Sequence, residues 1–183
     1  YDAAMQLARE SKCIRNVYTT PTVASQLEYE KPARSISIKR ILYNGAKLTK
    51  ITDRADDQLT AFNQDTTSTG TPQYYWEWST TFLLRPMPDE VYTLKIYSFD
   101  QPDVVSSAST FDVPSRYHLD MSDYVLMQMA LKDKNFDVFD RYERMWQMKL
   151  AKAVRDEAKF LRGDAFASVV DESTASTAII GAL

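Results

Sequence analysis

From Val91 to Phe99 apolar and polar side chains alternate, with Tyr92, Leu94 and Ile96 on one face of an extended chain and Thr93, Lys95 and Tyr97 on the other. A period of two is the mark of a half-buried strand. Ser35 to Tyr43 reads the same way, Ile36 and Ile38 alternating with Ser37 and Lys39. Asn44-Gly45 follows, a pair that tolerates the positive φ of a two-residue hairpin turn. Upstream, Ser11 to Tyr29 is rich in Val, Ile, Thr and Tyr and is broken by Pro21, which predicts two short strands, or an edge strand and a turn. Tyr74 to Leu84 is aromatic and β-branched enough for one or two more strands. In Arg85 to Glu90, Pro86 and Pro88 lack the N–H that a ladder needs, so this stretch is a connection. The polar residues 53–73, punctuated by Gly70 and Pro72, predict a helical turn followed by a loop.

On either side the period changes. Asp2 to Glu10 mixes helix-favouring residues but is too short to stand without packing partners, so residues 1–10 are a helix remnant. Pro114-Ser115 behind Asp112 marks a helix start, after which Tyr117, Met121, Tyr124, Val125, Gln128 and Leu131 recur at three- and four-residue steps. A second helix is predicted from Phe136 or Asp137 to Arg162 on the stripe Phe139, Tyr142, Trp146, Leu150, Ala153, Val154 and Phe160, with Gly163 as its C-terminal cap. The short link from Lys132 to Phe136 makes the pair an antiparallel hairpin. Residues 164–183 are small and polar until Ile179-Ile180 and predict an extended tail that is mobile or docked on a partner. The fold class expected is α+β: a central antiparallel β region over residues 11–112, a C-terminal antiparallel helical hairpin over 113–163, and the tail.

Composition narrows the function. The chain has 183 residues, 44% of them hydrophobic, ordinary for a soluble domain with a real core. A net charge of −3 lacks the strong positive field of a dedicated nucleic-acid binder. Cys13 is the single cysteine, so there is no internal disulfide and no thiolate cluster for zinc or iron–sulfur. There is no apolar run of membrane-spanning length and no leader of the signal-peptide kind. The chain opens at Tyr1 without a methionine, and residue 1 is read as an arbitrary start.

The search for chemistry comes back nearly empty. His118 is the only histidine and is expected on a helix surface; Cys13 is expected to be a small buried hydrophobe. Four glycines (45, 70, 163 and 181) cannot write a phosphate-cradling loop. Asp53, Asp56 and Asp57 read as a solvated loop or helix start, not a metal site, so no catalytic residue, metal or cofactor is assigned. Lys152, Arg155, Lys159 and Arg162 fall on one helical face. That face is either a solvated one balanced by Asp156 and Glu157, or a stripe that meets an acidic surface or DNA. Tyr75, Trp76 and Trp78 have no interleaved cations of the kind a single-strand binder uses, and are expected in the core or at a subunit interface.

The order of motifs is more informative. Gln26-x-Glu28-Tyr29-x-x-Pro32, Ile38-x-x-Ile41-x-Tyr43-Asn44-Gly45-x-x-Leu48 and Gly70-x-Pro72-x-Tyr74 are followed by Leu83-Leu84-x-Pro86-x-Pro88-Asp89 and Tyr92-x-Leu94-x-Ile96-Tyr97. With Val113-Pro114 and the closing Gly163-Asp164-Ala165-Phe166, this succession resembles the head-to-tail adaptor (connector) proteins of tailed phages, those of short-tailed phages in particular. It covers roughly residues 24–166. The helical section that such proteins carry before the β region is here about ten residues. The resemblance implies a non-enzymatic structural protein of the virion, made in the host cytoplasm and placed at the head-tail junction. It implies a homo-oligomeric ring, commonly of twelve copies, docked on the portal protein above and on a tail tube or nozzle protein below, with double-stranded DNA passing through the lumen without sequence recognition and no membrane involved. Phe166, Ile179, Ile180 and the basic stripe are the expected portal contacts. A tail-completion or stopper protein, or a β module that binds carbohydrate through Trp76 and Trp78, remains open at this point.

Overall fold

The computed structural model describes residues 1–51, 68–103 and 112–174, with side chains up to residue 162. Its contacts divide the chain into a helical unit made of residues 1–13 and 104–183, and a β unit, Ile14–Asp103.

Among the described residues the β unit holds two four-stranded sheets. In the first the order is β1 (Arg15–Pro21), β8 (Thr93–Asp100), β3 (Ser35–Tyr43) and β4 (Ala46–Lys47), all antiparallel. In the second it is β2 (Glu28–Glu30), β7 (Thr81–Arg85), β6 (Tyr74–Trp78) and β5 (Thr49–Ile51), where β5 alone pairs in parallel. The expected hairpin is present: Asn44 and Gly45 take φ of 44° and 88° between β3 and β4. β8 alternates as the sequence predicts, turning Leu94 and Ile96 inward. β3 departs from simple alternation, because register shifts at Ser35/Ser37 and Ile38/Arg40 insert extra residues; Ile38 and Ile41 point to the core and Ile36 is only half-buried. Tyr29, Tyr75, Phe82 and Leu84 from the second sheet close on Ile38, Ile41, Leu94 and Ile96 from the first.

Buried polar groups lock this core at two points. Asp100 is fully buried and accepts hydrogen bonds from Asn16 Nδ2 at 2.7 Å and from the hydroxyls of Tyr18 and Ser98, tying β1 to β8. Burial, and then the Asp100 carboxylate, push the Tyr18 phenol up to about 12. At the other point Glu77 Oε1 accepts from Lys31 Nζ at 3.1 Å and from the Ile38 amide at 3.2 Å, while Lys50 Nζ lies 2.5 Å from Oε2. Burial alone would raise the Glu77 carboxyl, but donation from Lys50 and Lys31 outweighs it and holds the group below its ordinary 4.5. A carboxyl with a lowered folded pKa stabilises the fold above its unfolded value and loses that contribution as pH falls through the folded one. Acid unfolding followed by circular dichroism is therefore expected to show Glu77→Gln less stable than wild type at pH 7, with the gap closing below about pH 4.

In the helical unit, α1 (Asp2–Ser11) packs its small face, Ala3, Ala4, Leu7 and Ala8, on the later helices, which allows close approach. Pro114 leads into a 3-10 turn, Ser115–Tyr117, and α2 (Met121–Lys132) starts only afterwards. α2 and α3 (Phe136–Thr174) pack together as the expected hairpin. Between them Lys134 takes a φ of 56°; its N–H reaches Leu131 O and that of Asn135 reaches Ala130 O, closing α2, while Asn135 Oδ1 caps the Val138 amide of α3 at 3.3 Å.

Three sequence expectations are corrected here. Val125, Gln128 and Leu131 lie on the outside of α2; the buried positions are Met121, Asp123, Met127 and Ala130. Phe160 is exposed, and the inward position beside it belongs to Glu157. α3 does not end at Gly163 but continues to Thr174, since a glycine inside a helix costs only about 1 kcal/mol relative to alanine. Of the helical turn and loop expected over residues 53–73, residues 53–67, with the Asp53, Asp56 and Asp57 group, lie outside those described, and residues 68–73 hold no helix or named strand.

Candidate assembly surfaces

Among the described residues no group of three His, Cys, Asp or Glu could hold a metal ion. Cys13 is buried, and burial raises its thiol above the ordinary value, away from the reactive thiolate. His118 sits on the surface with Nε2 2.7 Å from the Val113 carbonyl oxygen, to which that nitrogen donates. A surface depression of about 360 Å³ beside the β3–β4 hairpin contains Lys47, Asn44, Gln73 and the phenols of Tyr43 and Tyr74, but no carboxylate, thiol or imidazole. None of these arrangements pairs a nucleophile with a base.

The helical unit is pinned from inside. Glu157, fully buried on α3, accepts from Tyr117 Oη at 2.8 Å and pairs with Arg116, fixing the 3-10 turn. Burial and the bond to Glu157 push the Tyr117 phenol up to about 12. Lys149 Nζ lies 2.7 Å from buried Asp123 Oδ2 and 3.4 Å from Asp120, joining α3 to the start of α2.

Its outer surface divides in two. On α3, Lys152, Arg155, Lys159 and Arg162 are all exposed, opposite Trp146, Leu150, Ala153 and Glu157. The same ridge continues through Arg141 and Arg144, which sequence reasoning missed although they follow by the same helical steps. Six cations thus share one helix face over about 30 Å, at 1.5 Å per residue. One of them, Lys159, has Asp156 at 3.9 Å in the next turn. On α2 the outer face is mostly apolar: Ser122, Val125, Leu126 and Met129, with Val125 and Met129 more than half exposed and the exposed Lys132 following them in the last turn.

The aromatic strand divides as well. Tyr75 is enclosed in the core of the β unit, its phenol raised by burial, and offers no surface to a neighbour. Tyr74, Trp76 and Trp78 point to the opposite face, where the two indoles lie 5.1 Å apart and Trp78 is 57% exposed. Phe166 lies in the backbone span of α3, with its side chain outside those described, and Ile179 and Ile180 lie wholly outside them.

Residues 1–175 match the family model of the SU10 adaptor protein. The chain belongs to that family. A search of curated proteins gave no match. The adaptor is accordingly a structural, non-catalytic component of the tailed-phage virion, sited at a head-to-tail junction and interacting with portal and tail components. The match spans the α1 segment, both sheets and the hairpin.

Proposed function

We propose that the adaptor acts as a closed ring, of twelve copies on the resemblance to connector proteins, bound to the portal on one side and to a tail tube or nozzle protein on the other, with double-stranded DNA passing through its lumen. The observation that carries this reading is the outer surface of the helical hairpin, which shows a ridge of cations on α3 and a mostly apolar face on α2. Exposed apolar area of this kind is a mark of protein contact, and a cyclic array makes many modest contacts simultaneous. Lys152, Arg155, Lys159 and Arg162 meet an acidic portal surface, and Phe166, Ile179 and Ile180 add apolar anchors. Trp76 and Trp78 serve contacts between subunits.

Native mass of the adaptor alone and mixed with its portal tests the reading directly. Exposed ion pairs contribute about 0 to 1 kcal/mol each, so a fourfold reversal of Lys152, Arg155, Lys159 and Arg162 to Glu is expected to weaken portal attachment at low salt where single reversals do little. Full-strength attachment by the fourfold variant would move the joint elsewhere.

A further inference from the structure

The two outer faces of the β unit carry opposite charge. On the outside of the first sheet, Arg15, Arg40 and Lys95 project from β1, β3 and β8, and Lys47 follows from β4 opposite Leu42. Among the described residues no carboxylate projects from these strands on that face. The remaining side chains there include Val17, which is 55% exposed, and Tyr97, over whose ring the Arg40 guanidinium lies at 4.1 Å. On the outside of the second sheet the exposed charges are Glu28 and Glu30, set on either side of inward-pointing Tyr29. Beside them are Thr81 and Leu83 of β7, and then Trp78 and Trp76 of β6. Arg85, the one cation in this register, is buried.

We infer that these faces meet between neighbouring copies: the basic face of the first sheet of one adaptor seats on the acidic, aromatic face of the second sheet of the next. The inference rests on the ring reading and names its β contact. A ring needs a heterologous interface, in which two different patches of one chain complement each other, and these two patches do so in sign. They also match in spacing. Glu28 and Glu30 are two residues apart on one strand, about 6.8 Å. Arg40 stands beside Tyr97, so Lys95 is its diagonal neighbour across the strands at about 7 to 8 Å. Arg40 and Lys95 can therefore each face one glutamate, with Trp78 available to cover a cation stem or stack on a guanidinium.

The test uses two full-length variants, Arg40→Glu with Lys95→Glu, and Glu28→Lys with Glu30→Lys, each checked by its melting curve. Because Arg40 is half-buried over Tyr97, a version with Lys47→Glu and Lys95→Glu, both exposed, serves if the first does not fold. Sedimentation velocity at low salt should show each variant self-associating at least about tenfold more weakly than wild type, a loss of about 1.4 kcal/mol. Mixing the two in equal amounts should restore wild-type assembly, because alternating copies place opposite charges at every contact. Unchanged association of either variant overturns the inference, and for the basic face it is the result expected if that face serves a different partner such as DNA. So does weakened association that mixing fails to restore, because the two patches then do not meet each other. A wild-type chain that stays monomeric at every concentration removes the ring reading itself, and this contact with it.

Discussion

Replacing Trp146 with alanine should lower the unfolding free energy by about 3 to 5 kcal/mol, the range for a large aromatic lost from a packed core. Trp146 is 1% exposed. Its ring meets Tyr124 of α2 edge-on, with centroids 5.5 Å apart, and its Nε1 donates to Gln6 Oε1 of α1 at 3.0 Å. One side chain therefore joins all three helices of its unit. Denaturant unfolding measured for Trp146→Ala and Trp146→Phe separates the two roles. The phenylalanine keeps most of the packing and gives up the hydrogen bond, so its loss should be much the smaller, about 1 to 2 kcal/mol. Equal losses for both would mean that the bond to Gln6 outweighs the packing.

The second large effect is expected at Asp100. Asp100→Ala removes the acceptor shared by Asn16, Tyr18 and Ser98. A buried donor left without a partner costs about 1 to 3 kcal/mol. Asn16 and Tyr18 are half-buried and can turn toward water, whereas Ser98 is 2% exposed and cannot. A loss of about 2 to 3 kcal/mol follows, dominated by Ser98. In Tyr18→Phe the carboxylate keeps its other two donors, and a loss of about 1 kcal/mol is expected. Thermal melts of both variants check the ranking; Tyr18→Phe as damaging as Asp100→Ala would place the weight on the phenol.

Much of the β unit was legible in the sequence because its signals are local. Asn44-Gly45 dictates its own turn, and β8 alternates from Thr93 to Tyr97 because one of its faces is buried. The second helix was legible for the same reason: Trp146, Leu150 and Ala153 are flanked by charge on the far side. α2 was not. Val125, Leu126, Met127, Met129 and Leu131 surround it with apolar side chains, so periodicity could not say which side packs. The buried acids Asp100, Asp123 and Glu157 were illegible for a different reason. Their partners Tyr18, Lys149 and Tyr117 lie between 26 and 82 residues away, and only the folded chain brings them together. The aromatic strand was legible as a set but not residue by residue. Alternation alone sends Tyr75 one way and Trp76 and Trp78 the other, but which side is the core depends on the sheet that packs against it.

Gln6 and Trp146 are 140 residues apart in the chain, and the β unit between them is one uninterrupted segment whose ends are already joined by the Asp100 amide on the Ile14 carbonyl at 3.0 Å. Order of synthesis follows from that arrangement. All the strands have left the ribosome before α2 and α3 exist, so the β unit can close early, while α1 waits with its apolar face uncovered until the final third of the chain emerges. Prior closure of the β unit brings Ile14 and Asp100 together and removes most of the loop that α1 and α3 would otherwise have to close. A chain interrupted before Trp146 would keep its sheets and leave the helix at its start without a partner.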